Sequence, residues 1–149
     1  MAFMLTIRGI PQIYYGTELL MDGDGNSHPN MRLDYPGEVN GFTDEGRSTE
    51  QKEAFNFLKT LLNWRKDNEV IHKGKLKHFI PEKNIYVYFR YLDERSVMVI
   101  INANDSEKIL DTKSFNESLQ EFKIGREVIM QQSIIDLRSI TLPPWTVSI

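Results

Sequence analysis

The stretch Gly9-Ile10-Pro11-Gln12-Ile13-Tyr14-Tyr15-Gly16-Thr17-Glu18 constrains the fold more than any other part of the chain. It is an apolar run with Ile and Tyr at its centre, entered through Gly-Ile-Pro and left through a glycine and a carboxylate. That pattern reads as a fully buried strand ending at a polar loop. A strand apolar on both sides belongs in a parallel sheet covered on both faces, and such a strand needs neighbours. Ahead of it, Met1-Ala2-Phe3-Met4-Leu5-Thr6-Ile7 reads as the last turns of a helix. Arg8 suits its negative end and Gly9 serves as a left-handed cap. No N-cap residue precedes this run, as expected of a helix whose beginning is cut off. It has no basic n-region and is broken by Arg8, so it is neither a signal peptide nor a membrane span. If the chain begins inside a parent protein, a periplasmic and a cytoplasmic parent are equally open.

Residues 19–46 form a long loop rich in Gly, Asp, Asn and Pro, and loops of that length are often functional. Within it Asp22, Asp24 and Asn26 fall at the first three ligand positions of an EF-hand calcium loop. The sixth position is Ser27 rather than Gly and the twelfth is Leu33 rather than Glu. An acidic, glycine-rich turn accounts for the same residues without a cation, and no cofactor is expected. Farther along, Met31-Arg32-Leu33-Asp34-Tyr35-Pro36-Gly37 sets an Arg and an Asp before a Pro-Gly turn. The pair reads either as a local ion pair or as a sugar-contacting loop.

Ser48 and Gln51 make a capping box. Ala54, Phe55, Leu58, Leu61, Leu62 and Arg65 then recur at helical spacing, which predicts an amphipathic helix over 49–66. From Val70 the texture changes to short strands separated by turns. Strands are expected over 75–80, 85–91, 96–101, 108–110, 127–130, 139–142 and 145–149, with Pro81-Glu82-Lys83-Asn84 as a turn. This is the pattern of an antiparallel sandwich or barrel.

With 149 residues, a net charge of −3 and 40% hydrophobic residues, the chain has the composition of a soluble globular protein. There is no basic footprint for nucleic acid. The absence of cysteine rules out disulfides and thiolate metal sites. His28, His72 and His78 have no metal-ligand spacing, and no nucleophile elbow, P-loop or dinucleotide fingerprint occurs.

The stretch from Gly9 to Glu18 resembles the eighth barrel strand of the α-amylase family of glycoside hydrolases. Arg32-Leu33-Asp34-Tyr35-Pro36-Gly37 is similar to the Arg-x-Asp-(Phe/Tyr)-Pro-Gly segment that neopullulanase- and cyclomaltodextrinase-like members carry after that strand, close to the substrate cleft. Glu38 and Val39 stand where those members have a second glycine and an aromatic. Trp64-Arg65-Lys66 resembles the end of the helix that follows. The β-rich remainder resembles domain C, a Greek-key sandwich.

The resemblance covers the whole chain. It implies a mainly β fold in which an antiparallel Greek-key β-sandwich, residues 70–149, follows a strand–loop–helix remnant of a (β/α)8 barrel, residues 1–69. The boundary is expected within 67–73. A complete barrel takes about 250 residues, more than this chain has. In the family the nucleophile Asp, the acid/base Glu and a third Asp come from the fourth, fifth and seventh strands, and none of the carboxylates here corresponds to them. A retaining mechanism needs two carboxyls about 5–5.5 Å apart.

The resemblance therefore implies a non-catalytic C-terminal portion of an enzyme acting on α-glucan oligosaccharides of starch, pullulan or cyclodextrin. Glu18, Arg32 and Asp34 would line the cleft of the intact parent. Two further readings concern the sandwich. It is either a carbohydrate-binding module, with Tyr86, Tyr88, Tyr91 and Trp145 as stacking platforms, or a purely structural domain in which core packing explains those rings. Without barrel neighbours, residues 1–20 are expected to be disordered, to re-pair onto the sandwich, or to be buried in an oligomer.

Overall fold

The computed structural model describes residues 1–21, 42–119, 122–130, 133–134 and 136–149. They fall into two compact units, Met1–Ile10 with Leu61–Ile149, and Pro11–Thr60.

In the second unit Gly16 takes a left-handed conformation (φ 86) and leads into a 3-10 turn, Thr17–Leu19. The helix announced by the capping box is present as α2, Thr49–Lys66, and continues into the first unit. The Ser48 hydroxyl accepts from the Gln51 amide at 3.2 Å, and the Gln51 side chain accepts from the Ser48 amide at 3.0 Å. Two amides at the helix start are thus satisfied locally.

The expected buried strand does not form. Residues 10–14 take part in no β ladder among the described residues, and Ile10 is 98% exposed. A parallel strand draws its hydrogen bonds entirely from neighbours, and the described residues present none to this stretch.

The first unit begins with α1, Ala2–Thr6. After the end of α2 comes α3, Glu69–Lys73, where a strand texture had been expected from Val70. Asn68 caps this helix by accepting from the Val70 amide at 3.0 Å. The strands follow: β1 Lys75–His78, β2 Ile85–Leu92, β3 Arg95–Asn102 and β4 Lys108–Asp111. After a 3-10 turn and α4, Asn116–Leu119, come β5 Gly125–Arg126, β6 Ser133–Ile134, β7 Ser139–Leu142 and β8 Thr146–Ser148. The main sheet is antiparallel in the order β1-β2-β3-β8, and β4 pairs with β7 and β5 with β6.

Local chemistry explains the hairpin. Lys83 and Asn84 both have positive φ (51 and 57), and Glu82 and Ile85 exchange backbone bonds around them. This is the two-residue geometry whose twist matches that of the flanking strands. The strand expected over 127–130 is instead a turn after β5. The buried Glu127 carboxylate accepts from the Met130 and Ile149 amides, so these donors are taken by a side chain rather than by a ladder.

The pleat then divides β2 into two faces. Val87 and Phe89, opposite Ile100 and Met98, face the core with Phe115, Leu119, Ile140 and Leu142. Leu110 and Ile140 of the β4–β7 pair close it from the second layer. Phe79, Phe89 and Phe115 meet edge to face within it. Asn102 joins the layers at one end. Its amide donates to the carbonyls of Leu142 (3.2 Å) and Pro143 (2.7 Å), and its oxygen accepts from the Asn104 amide.

The opposite face of β2 carries Tyr86, Tyr88 and Arg90. α3 packs against β2 and β3, and α1 docks through Phe3, whose ring stands edge-on to Tyr88 at 5.9 Å. Residues 2–6 thus pack on the β fold as a helix, not as a re-paired strand.

Candidate functional site

Arg32, Asp34, Asp22, Asp24 and Asn26 lie outside the described residues. Glu18 is half-buried in the turn Thr17–Leu19. Among the described residues no group of three or more His, Asp or Glu side chains is arranged to hold a metal ion, and no helix is long and apolar enough to cross a membrane.

The four aromatic residues do not make one surface. Tyr86 and Tyr88 share one face of β2, whereas Tyr91, an odd number of positions away, projects to the other. Tyr88 is 0% exposed, so no ring face is left for a sugar, and as a stacking residue it is corrected to a core residue. Tyr86 is half-buried among Phe3, His78 and Tyr88. Tyr91 is at the margin of exposure. Trp145 is 72% exposed, in a left-handed conformation (φ 49) at the turn between β7 and β8, with its amide bonded to the Asn104 carbonyl. It is the ring of the four best placed for stacking.

A cleft of about 560 Å³ opens along the core face of the main sheet, lined by Trp64, Phe89, Met98, Ile100, Phe122 and Ile149 among others. Phe89 and Ile100 also belong to the sandwich core, so the cleft is an open end of that core.

A buried polar cluster gathers where α1 ends, and it was not legible in the sequence. The Thr6 hydroxyl donates to the Ala2 carbonyl at 2.7 Å, which leaves the Tyr88 hydroxyl as the donor to Thr6 Oγ1. Burial pushes the Tyr88 phenol up to about 12. Arg90, 1% exposed, donates to the Thr6 carbonyl at 2.9 Å and to the Gly74 carbonyl at 2.8 Å. Arg65, buried at the end of α2, donates to the Leu5 and Gly9 carbonyls.

Burial, followed by the nearby charges of Arg65 and Arg8, draws the Arg90 guanidinium below its ordinary value, and burial does the same to Arg65. The Gly9 cap expected from the sequence is corrected accordingly. Gly9 does have a positive φ of 115, but the helix ends at Ile7 in an extended conformation. Arginines from distant parts of the chain satisfy the carbonyls of Leu5 and Thr6 on the helix and of Gly9 beyond it.

Residues 76–149 match the family of cyclo-malto-dextrinase C-terminal domains. The chain is 34% identical over 104 residues to the cyclomaltodextrin glucanotransferase of Thermoanaerobacterium thermosulfurigenes, covering 70% of this chain and 13% of that protein. It is 27% identical over 110 residues to the cyclomaltodextrinase of Thermoanaerobacter pseudethanolicus, covering 74% of this chain and 17% of the relative. The fold is shared over 99% of the chain with 30% of the α-amylase from Geobacillus thermoleovorans, solved with acarbose, at a TM-score of 0.75 and 20% identity. The chain thus spans about an eighth of the length of the first curated relatives it matches. With the motifs from Gly9 to Trp64 and the antiparallel domain after them, these matches identify the chain as a member of the α-amylase family, corresponding to the C-terminal part of its proteins.

Proposed function

We propose that the chain serves an α-glucan-acting glycoside hydrolase of the retaining type, without being catalytic by itself. Residues 1–69 supply the last strand, loop and helix of the barrel, and residues 70–149 supply the β domain behind it. Glu18, Arg32 and Asp34 line the cleft that receives the oligosaccharide. The observation that carries this reading is the match of residues 76–149 to cyclo-malto-dextrinase C-terminal domains, downstream of a stretch resembling the eighth barrel strand. The reading is supported by what the relatives' names describe, glucanotransferase and cyclomaltodextrinase.

The purified chain is expected to release no sugar from starch, pullulan or cyclodextrin. The coding DNA ahead of Met1 is expected to run in frame through barrel strands ending in Asp, Glu and Asp. Hydrolysis by the chain alone, lost on Glu18→Gln, overturns the non-catalytic reading. A stop codon directly ahead of Met1 overturns the hydrolase reading.

The exposure of Trp145 favours a second reading, in which the β domain itself holds glucan chains by stacking. Titration with maltoheptaose, followed by tryptophan fluorescence in the wild type and in Trp145→Ala, tests it. An unchanged wild-type spectrum counts against it.

A further inference from the structure

A five-residue helix leaves its final carbonyls without intrahelical partners. In α1 those of Leu5 and Thr6 are met by arginine side chains. Arg65 spans the carbonyls of Leu5 and Gly9, one on the helix and one beyond it. Arg90 spans the carbonyls of Thr6 and Gly74, and Gly74 is the C-cap of α3. Each guanidinium thus holds two carbonyls at once in a fixed planar geometry, which a flexible ammonium does not impose. Arg90 Nε is buried without a partner, so its contribution comes from the two terminal nitrogens. Among the described residues no carboxylate bonds to either guanidinium.

We propose that Arg65 and Arg90 are positioning residues. Together they fix the exit of α1 as far as Gly9. Arg90 belongs to the β domain, so that domain holds the segment that precedes the stretch from Gly9 to Glu18, a function distinct from covering the barrel. The link to a sugar cleft rests on the hydrolase reading; the clamp itself does not.

Hydrogen exchange in the 149-residue chain tests the clamp. The amides of Leu5 and Ile7, bonded to Met1 and Phe3, report on α1, and peptides from 85–102 report on the sheet. Arg65→Lys, Arg65→Gln and Arg90→Lys are expected to speed exchange in residues 1–10 about tenfold. For the two Arg65 variants, exchange over 85–102 stays as in the wild type. Arg65 stands at a helix end, so its variants keep the test informative even if Arg90→Lys fails to fold. Wild-type exchange in residues 1–10 of Arg65→Lys overturns the proposal. So does equal acceleration over 85–102 in the Arg65 variants, which makes the arginines general stabilisers. Sugar hydrolysis plays no part in this assay, so the clamp and the hydrolase reading fail separately.

Discussion

Replacing Tyr88 with Phe removes one hydroxyl from a fully buried ring, and the effect is expected to change sign with pH. At neutral pH the variant loses the hydrogen bond from Tyr88 to Thr6 Oγ1. No donor is orphaned, because the Thr6 hydroxyl still donates to the Ala2 carbonyl, so the cost is about 1 kcal/mol. Alkaline pH reverses the order. The phenol has an ordinary value of 10.0 and is held up to about 12 in the folded protein. Below pH 10 both states keep the proton and its contribution is complete. Above pH 10 the unfolded chain ionises first, so folding loses stability as pH rises through about 12. The full loss is about 3 kcal/mol, and half of it is reached near pH 11. The variant has no such loss at this position, so its stability should overtake that of the wild type at about pH 11. Urea unfolding followed by circular dichroism at pH 7, 9, 10, 10.5 and 11.5 measures both arms. A difference between the two proteins that stays constant from pH 9 to 11.5 refutes the reasoning, because it means that the phenol ionises as freely folded as unfolded.

Three further outcomes follow from the packing and the charges. Leu142→Ala deletes a 1% exposed side chain from the cluster of Val87, Phe89 and Ile140 and is expected to cost about 2–5 kcal/mol in urea unfolding. Ser48→Ala removes the acceptor for the Gln51 amide and should cost about 1 kcal/mol, read as faster hydrogen exchange in the first turn of α2. Hydrogen bonds from Lys73 and Arg95 hold the exposed Glu69 carboxyl down to about 2. The stabilisation this brings is present above the ordinary value of 4.5 and fades as pH falls through about 2, and a carbon-detected NMR titration of Glu69 should find its midpoint there. In Arg95→Gln the midpoint should move up toward 4.5.

What the sequence disclosed was what neighbouring residues decide among themselves. Ser48 and Gln51 lie three positions apart and satisfy each other, so the start of α2 was legible. The β-branched and aromatic run over 85–91 marked β2 as a strand, and the hairpin turn was marked by Pro81 and Asn84. α3 was missed although its signal was local: Asn68 stands as an N-cap before Glu69, but Val70 and Ile71 resembled the strands that follow. The end of α1 was beyond reach. Its partners, Arg65 and Arg90, lie about 60 and 84 residues away, and an arginine inside an apolar strand gives no sign of which carbonyl it will meet. Tyr88 was misread for a related reason. A tyrosine in an alternating strand looks equally ready for solvent or core, and only the docking of α1 decides between them. The stretch from Gly9 to Glu18 carries the reverse lesson, since its apolar run reads as a buried strand and the described residues offer it no sheet.

The buried amide of Asn102 acts as a ruler on the far side of the sheet. It reads two successive carbonyls, Leu142 and Pro143, while Asn104 beside it accepts from the Trp145 amide and donates to the Lys83 carbonyl. Inserting or deleting one residue between Leu142 and Trp145 offers that ruler the wrong carbonyl and carries β8 out of step with β3 by one position, which turns Val147 from one face to the other. Loop-length drift among relatives should therefore spare this corner and accumulate elsewhere, leaving the spacing from Leu142 to Trp145 as a fixed length by which the domain can be aligned.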